Sequence, residues 1–247
     1  MSLSYPLRLF VTVLAYLAGR LLADSLALSL RDPRPGRLGR AMELARQWGH
    51  RLRLSELLRI GYHLLVPFAV LQLGWASPLD LGLTDLDWVS GIGRSVVWCV
   101  AALLPVLWTW RRFVVLVGAV PQMTSLLRWA EPWGWAWLVR EAILLEASWS
   151  LVRSPLLLMA GPYWGVFAGF ALIWLFELID PLVRRDAMLD GMREEHLLIG
   201  SVSVVTASIF LLTRNVWLCA AAHAVVRGAV LLLLRTLQPA EGVPLSA

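Results

Sequence analysis

Long apolar runs separated by short polar stretches set the pattern of this chain. Such runs occupy Leu7–Leu30, Ile60–Ala76, Ser95–Trp110, Trp135–Ala160, Pro162–Val183, Leu197–Thr213 and Val216–Leu234. Each comes near the ~20 residues that a helix needs to cross a bilayer core. The expected fold is all-α: a polytopic transmembrane helical bundle of seven spans. Phe113–Leu127 is shorter and contains Pro121, so it reads as an eighth span, a re-entrant segment or a buried connector. Between Leu38 and Leu58 the residues Leu38, Met42, Ala45, Trp48 and Leu52 keep helical spacing, with arginines on the other face. That pattern predicts an amphipathic helix lying on one leaflet. The turn Asp32-Pro33-Arg34-Pro35-Gly36 leads into it. The organisation follows: an N-terminal span with an arginine-rich segment over 1–59, a transmembrane core over 60–237, and a disordered tail over 238–247.

Composition removes the alternatives to a membrane protein. Hydrophobic residues make up 59% and charged residues 16% of the 247, against about 45–50% and about 25% in soluble domains. All 22 basic residues are arginine, and they sit at loops and helix ends. This excludes a nucleic-acid surface and points to membrane lipid headgroups as counter-ions. Cys99 and Cys219 lie inside apolar runs and read as small core residues. The first run follows Arg8 like a secretory signal, but Arg20 and Asp24 extend it into an uncleaved anchor. Most tryptophans fall near span ends, as an aromatic belt requires, while Trp98, Trp149 and Trp174 read as core packing.

Charge placement supplies an orientation. Arg31–Arg59 carries eight arginines, whereas Ser77–Gly93 carries Asp80, Asp85 and Asp87 and no arginine among the loop residues before Gly93. The positive-inside rule puts the first segment in the cytoplasm. The expected location is the cell membrane, N-terminus outside and C-terminus inside.

An ionisable group within a span costs roughly 2.5–3.5 kcal/mol on insertion scales and marks a site by default. The candidates are His63, Arg140, Glu141, Glu146, Arg153, Glu177, Asp180, His223 and Arg227. Glu146 and Arg153, seven apart, share a helix face. Asn215, Cys219, His223 and Arg227 form a stripe at every fourth residue. Counting rise places Glu146 and His223 roughly 20 and 18 Å deep, with Glu177 at about 10 Å, near Arg140 and Arg227. Glu177 is therefore expected to pair with Arg140 or Arg227. A carboxylate and an imidazole at one depth suit water activation or an inert hydrogen bond. His63 reads as a satisfied helix-end histidine.

The stretch Asn215-Val216-Trp217-Leu218-Cys219-Ala220-Ala221-Ala222-His223-Ala224, the helix from Glu146 to Arg153, and Leu81-Gly82-Leu83 together resemble the CAAX-protease and bacteriocin-processing family of intramembrane proteases. The resemblance covers about Trp75 to Arg235. It implies catalytic roles for Glu146 and His223 and a supporting one for Arg153; Glu177, Arg227 and Arg140, the charged groups of the shallower layer, are expected to support them. Leu145 stands where the family has a first glutamate, and Arg227 where it has asparagine. His196, in a charged loop, does not supply the family's middle histidine. Three expectations stay open: a peptidase with an altered site, a non-catalytic scaffold or membrane-complex subunit, and a small-molecule transporter. The first brings a peptide or prenylated, lipid-embedded protein as substrate. The cofactor is left open, a divalent metal included.

The orientation is checked by cysteines introduced at Gly36 and Thr84. They should label from opposite sides of the membrane, and labelling from one side would overturn the topology and the depths counted from it.

Overall fold

The computed structural model describes residues 4–31, 54–84, 86–121, 123–180 and 192–238, and among these every regular element is helical. The helices are α1 (Tyr5–Arg31), α2 (Leu54–Ile60), α3 (Val66–Gln72), α4 (Trp88–Val117), α5 (Thr124–Trp129), α6 (Gly134–Ile179), α7 (Met192–Thr213) and α8 (Val216–Thr236). A π-helical turn, Gly61–Leu65, joins α2 to α3. Five helices are long and apolar enough to cross a membrane by length and composition: α1, α4, α6, α7 and α8. The apolar helices are compatible with an integral membrane protein.

The chain forms two compact units. One comprises Met1–Asp85 with Leu144–Asp186; the other comprises Leu86–Ile143 with Ala187–Ala247.

The decisive element is α6, which belongs to the first unit from Leu144 onward. At 46 residues, a straight helix would run about 70 Å, more than twice a bilayer core. It does not run straight. Gly161 has φ 78° and ψ 174°, outside helical space, and Pro162 follows it. Beyond that point the chain returns along itself. A Cβ on Gly165 would lie 2.5 Å from the Leu157 Cα, and one on Gly169 would lie 3.0 Å from the Arg153 Cα. Contacts at equal distances either side of Gly161 define a helical hairpin with a one-residue turn. The expected boundary between Ala160 and Pro162 falls on this turn. Glycine is needed at 161 for its positive φ. At 165 and 169 it lets two backbones approach, as small residues do between membrane helices. Pro155 cannot donate to Leu151, and the Ser154 hydroxyl donates to that carbonyl instead, at 2.9 Å.

Over the expected Ile60–Ala76 span the helices are α2 and α3, seven residues each, joined by the π turn, and neither is among the five long enough to cross a membrane. The turn between α3 and α4 is fastened to α1: the Tyr5 hydroxyl donates to Asp80, which also accepts from Ser77 Oγ at 2.8 Å.

In the second unit α8 packs against α7, α4 and α5. The stripe expected at every fourth residue is the buried face of α8: Asn215, Cys219, His223 and Arg227 are all buried. Asn215 caps the helix, accepting from the amides of Trp217 and Leu218. Asp87 caps α4, and the hydrogen bonds from the Ser90 hydroxyl and amide hold its carboxyl below the usual carboxylate range.

Several expectations change. Phe113–Leu127 is not one helix: α4 ends at Val117, Gly118 caps it in the left-handed region, and α5 is only six residues long. The segment holds no eighth spanning helix of its own, because six residues rise only about 9 Å. Trp149 is core, as expected, but Trp98 is exposed on α4, and Trp110, expected at a span end, is buried within it. His196 is not in a loop, since α7 begins at Met192. Most of the expected amphipathic helix, and all of the tail after Gln238, lie outside the described residues.

The hairpin makes a direct prediction. Gly165→Ala forces a methyl into the Leu157 backbone and should destabilise the protein by about 1–3 kcal/mol. Gly93→Ala, where nothing lies within 4 Å, should be neutral or slightly stabilising. Thermal unfolding in detergent measures both, and equal midpoints would rule out the close approach.

Candidate functional site

Glu146 and Arg153 form a buried ion pair on the first arm of the hairpin. The Arg153 Nη2 donates to Glu146 Oε2 at 2.9 Å, and the side chains are 1% and 2% exposed. The seven-residue spacing is bridged because helical side chains lean toward the N-terminus. Arg153 follows that lean, its Nε donating to the Trp149 carbonyl at 3.1 Å one turn back. Gly169 on the return arm supplies the room. A Cβ there would sit 2.5 Å from Arg153 Cγ. Arg153 thus meets Glu146 directly.

A second polar layer runs along α1. Tyr16, Arg20 and Asp24 lie one turn apart on one face. Arg20 meets Glu177 at 2.7 Å, Asp24 at 3.6 Å and Asp180 at 3.7 Å. The expectation that Glu177 pairs with Arg140 or Arg227 is corrected: its partner is Arg20. Arg140 bonds its neighbour Glu141 at 3.1 Å. Arg227 bonds Glu195 at 2.5 Å.

His63 sits on the π turn, and its Nδ1 lies 3.1 Å from Ser148 Oγ and 3.2 Å from the Tyr16 hydroxyl. The Ser148 hydroxyl donates to the Leu144 carbonyl at 2.9 Å, which leaves its oxygen to accept. His63 is satisfied as expected, but from the interior of a helical run rather than a helix end. The extra residue of a π turn re-aims the side chains around it, here setting His63 toward both hydroxyls.

In the second unit His223 is fully buried on α8. Arg227 lies one turn further along. Glu195 accepts from it and, through its other oxygen, from the Ser125 amide at 3.0 Å and hydroxyl at 2.7 Å. Glu195 therefore ties α5, α7 and α8 together. Sequence reasoning missed Glu195 and gave Arg20 only Asp24 as a partner. Glu195 was legible in one respect: an acid four residues into a helix is where the helix dipole favours it.

Among the described residues no three His, Cys, Asp or Glu side chains are grouped so as to hold a metal ion. No protein family, curated protein or solved structure matches this chain.

The α1 layer predicts an order of effects. Arg20 faces three carboxylates, so Arg20→Gln should cost more stability than Glu177→Gln, which should cost about 1–2 kcal/mol as a part-exposed charged pair. The Arg20→Gln, Glu177→Gln double variant should lose less than the two singles added. Additive losses by thermal unfolding would exclude the pair.

Proposed function

We propose that this chain is a multi-pass membrane protein acting as a non-catalytic scaffold or subunit of a membrane complex, built on the architecture that its resemblance to intramembrane proteases implies. In this reading it lies in the cell membrane with its N-terminus outside. One observation carries the proposal: the Glu146 carboxylate is bound to the Arg153 guanidinium at 2.9 Å with both groups buried. A general base must take a proton from water. An adjacent buried cation stabilises the carboxylate as an anion and weakens it for that task. The pair instead is a fastening within the first arm of the hairpin, neutralising two buried charges, and the partner supplies whatever chemistry the complex performs.

The second reading, peptide hydrolysis within the membrane with Glu146 as base, draws on the complete burial of that carboxylate. In that case Glu146 would have to leave Arg153 during turnover.

The two readings separate on one pair of variants. As a fastening, Glu146→Gln strips the Arg153 guanidinium of the Glu146 charge and should cost about 3–5 kcal/mol. Glu146→Gln with Arg153→Met should recover most of that loss. The wild-type protein, purified from native membranes in mild detergent, should bring a membrane partner at fixed stoichiometry. It should cleave neither lipid-embedded nor prenylated reporter peptides. Cleavage that disappears in Glu146→Gln while the unfolding midpoint holds would overturn the scaffold reading in favour of the peptidase.

A further inference from the structure

The last turns of α4 carry bare apolar side chains past the level at which the neighbouring α8 stops. The two helices pack side by side and start together: a Cβ on Gly91 would lie 3.1 Å from the Leu218 side chain, in the first turns of α4 and α8. From that level α8 climbs about 27 Å to its end at Thr236. This matches a bilayer core of about 30 Å, and the exposed Arg235 stands at the far edge. The same climb takes α4 only to Trp108 and Thr109, and Val117 lies about 12 Å beyond.

Side-chain chemistry agrees with that level. Exposed Trp108 and Arg112 are the pair expected where hydrocarbon gives way to headgroups, and the Arg112 Cζ lies 5.6 Å from the Trp108 ring centroid. Past them the helix continues Phe113-Val114-Val115-Leu116-Val117. One side of this stretch is covered: Val114 is buried, and the Phe113 ring meets the buried Trp110 edge-on at 5.7 Å. The other side is bare, with Val115, Leu116 and Val117 exposed by 64%, 84% and 57%. Contiguous apolar side chains held beyond the lipid mark a surface that another protein covers. The rim specifies that protein. Arg111 and Arg112 are exposed one turn before Val115 and Leu116, and neither has an ion-pair partner among the described residues. A second copy of this chain would bring the same two arginines to a symmetric contact. The stretch Arg31–Arg59 would bring eight more. Both are repelled, whereas carboxylates are drawn in.

We propose that the end of α4, Arg111–Val117, is the docking surface for an acidic amphipathic helix of a membrane partner. The partner helix lays its apolar face on Leu116 and its neighbours and turns Asp or Glu toward Arg111 and Arg112. This surface rests on the reading of the chain as a subunit of a membrane complex and says where the other subunit sits. If a partner co-purifies at fixed stoichiometry but does not touch residue 116, the surface falls and that reading stands. If no partner co-purifies, both fall.

The test uses the full chain and reads depth first. In a Cys99→Ala, Cys219→Ala background, Leu116→Cys and Leu104→Cys are each purified alone, reconstituted in vesicles and treated on both faces with a membrane-impermeant maleimide. Residue 116 should label and residue 104 should not; protection of 116 would place the patch in lipid and overturn the surface. Occupancy is read in native membranes with the photoreactive benzoylphenylalanine in place of Leu116. The expected adduct is on one partner protein, in a segment with apolar residues at helical spacing and acids beside them. Arg111→Glu with Arg112→Glu should cut its yield about 10-fold or more at an unchanged unfolding midpoint, and arginines in place of the partner's acids should restore it. Arg111→Gln with Arg112→Gln should lower the yield by a smaller factor and decides the matter if the reversal does not fold. An adduct to a second copy, to Arg31–Arg59 or to lipid alone would overturn the proposal. So would a yield indifferent to the charge at 111 and 112.

Discussion

A charge inside a bundle of apolar helices has to keep its counter-charge within reach, because neither lipid nor packed side chains can solvate it. This constraint organises both units. Glu146 and Arg153 meet along a single helix arm. Arg20 collects Glu177, Asp24 and Asp180. Arg227 meets Glu195, whose second oxygen is held by the start of α5. The last two arrangements join elements that apolar packing alone would leave free to slide, since one Leu-covered helix face fits another in many registers. The charged pairs choose the register.

Room for these pairs comes from the smallest residues. Gly169 accommodates the Arg153 stem and Gly165 the Leu157 backbone, so the two arms run close together from the turn as far as Arg153. On α8, Gly228 receives the Leu138 side chain beside Trp129, next to the residue that binds Glu195. Small residue and buried charge thus occur together in both units. The guanidinium is the longest side chain to be buried, and a neighbouring Cβ is what it can least afford.

The long apolar helices were legible in the sequence because hydropathy and length mark them, although five described helices, not seven, are long and apolar enough to cross a membrane; the hairpin turn was legible as the break between Ala160 and Pro162. Arg153 as the companion of Glu146 was legible from spacing on one face. The other pairings were not. Counting rise along a helix gives height but not the direction a side chain faces or which helix stands opposite, so Glu177 was matched to arginines of similar height while Arg20 was the one facing it. Glu195 was hidden because the apolar run begins at Leu197, two residues after it, although the helix starts at Met192. The π turn at His63 has no compositional mark, since Gly61–Leu65 reads like any helical stretch. Ser148 likewise gives no sign in sequence that it meets a histidine 85 positions away.

For a chain that sits in a bilayer, as proposed above, the single-residue turn at Gly161 also bears on how it would enter during synthesis. With no loop between them, the two arms of α6 cannot be threaded one after the other, the first settled before the second emerges. They have to partition from the translocation machinery as one folded pair. Glu146 and Arg153 are on the same arm and translated within eight residues of each other, so their charges can neutralise locally before the return arm is made. The arm then enters lipid as a nearly neutral rod, and Gly169 closes over a pairing that is already in place.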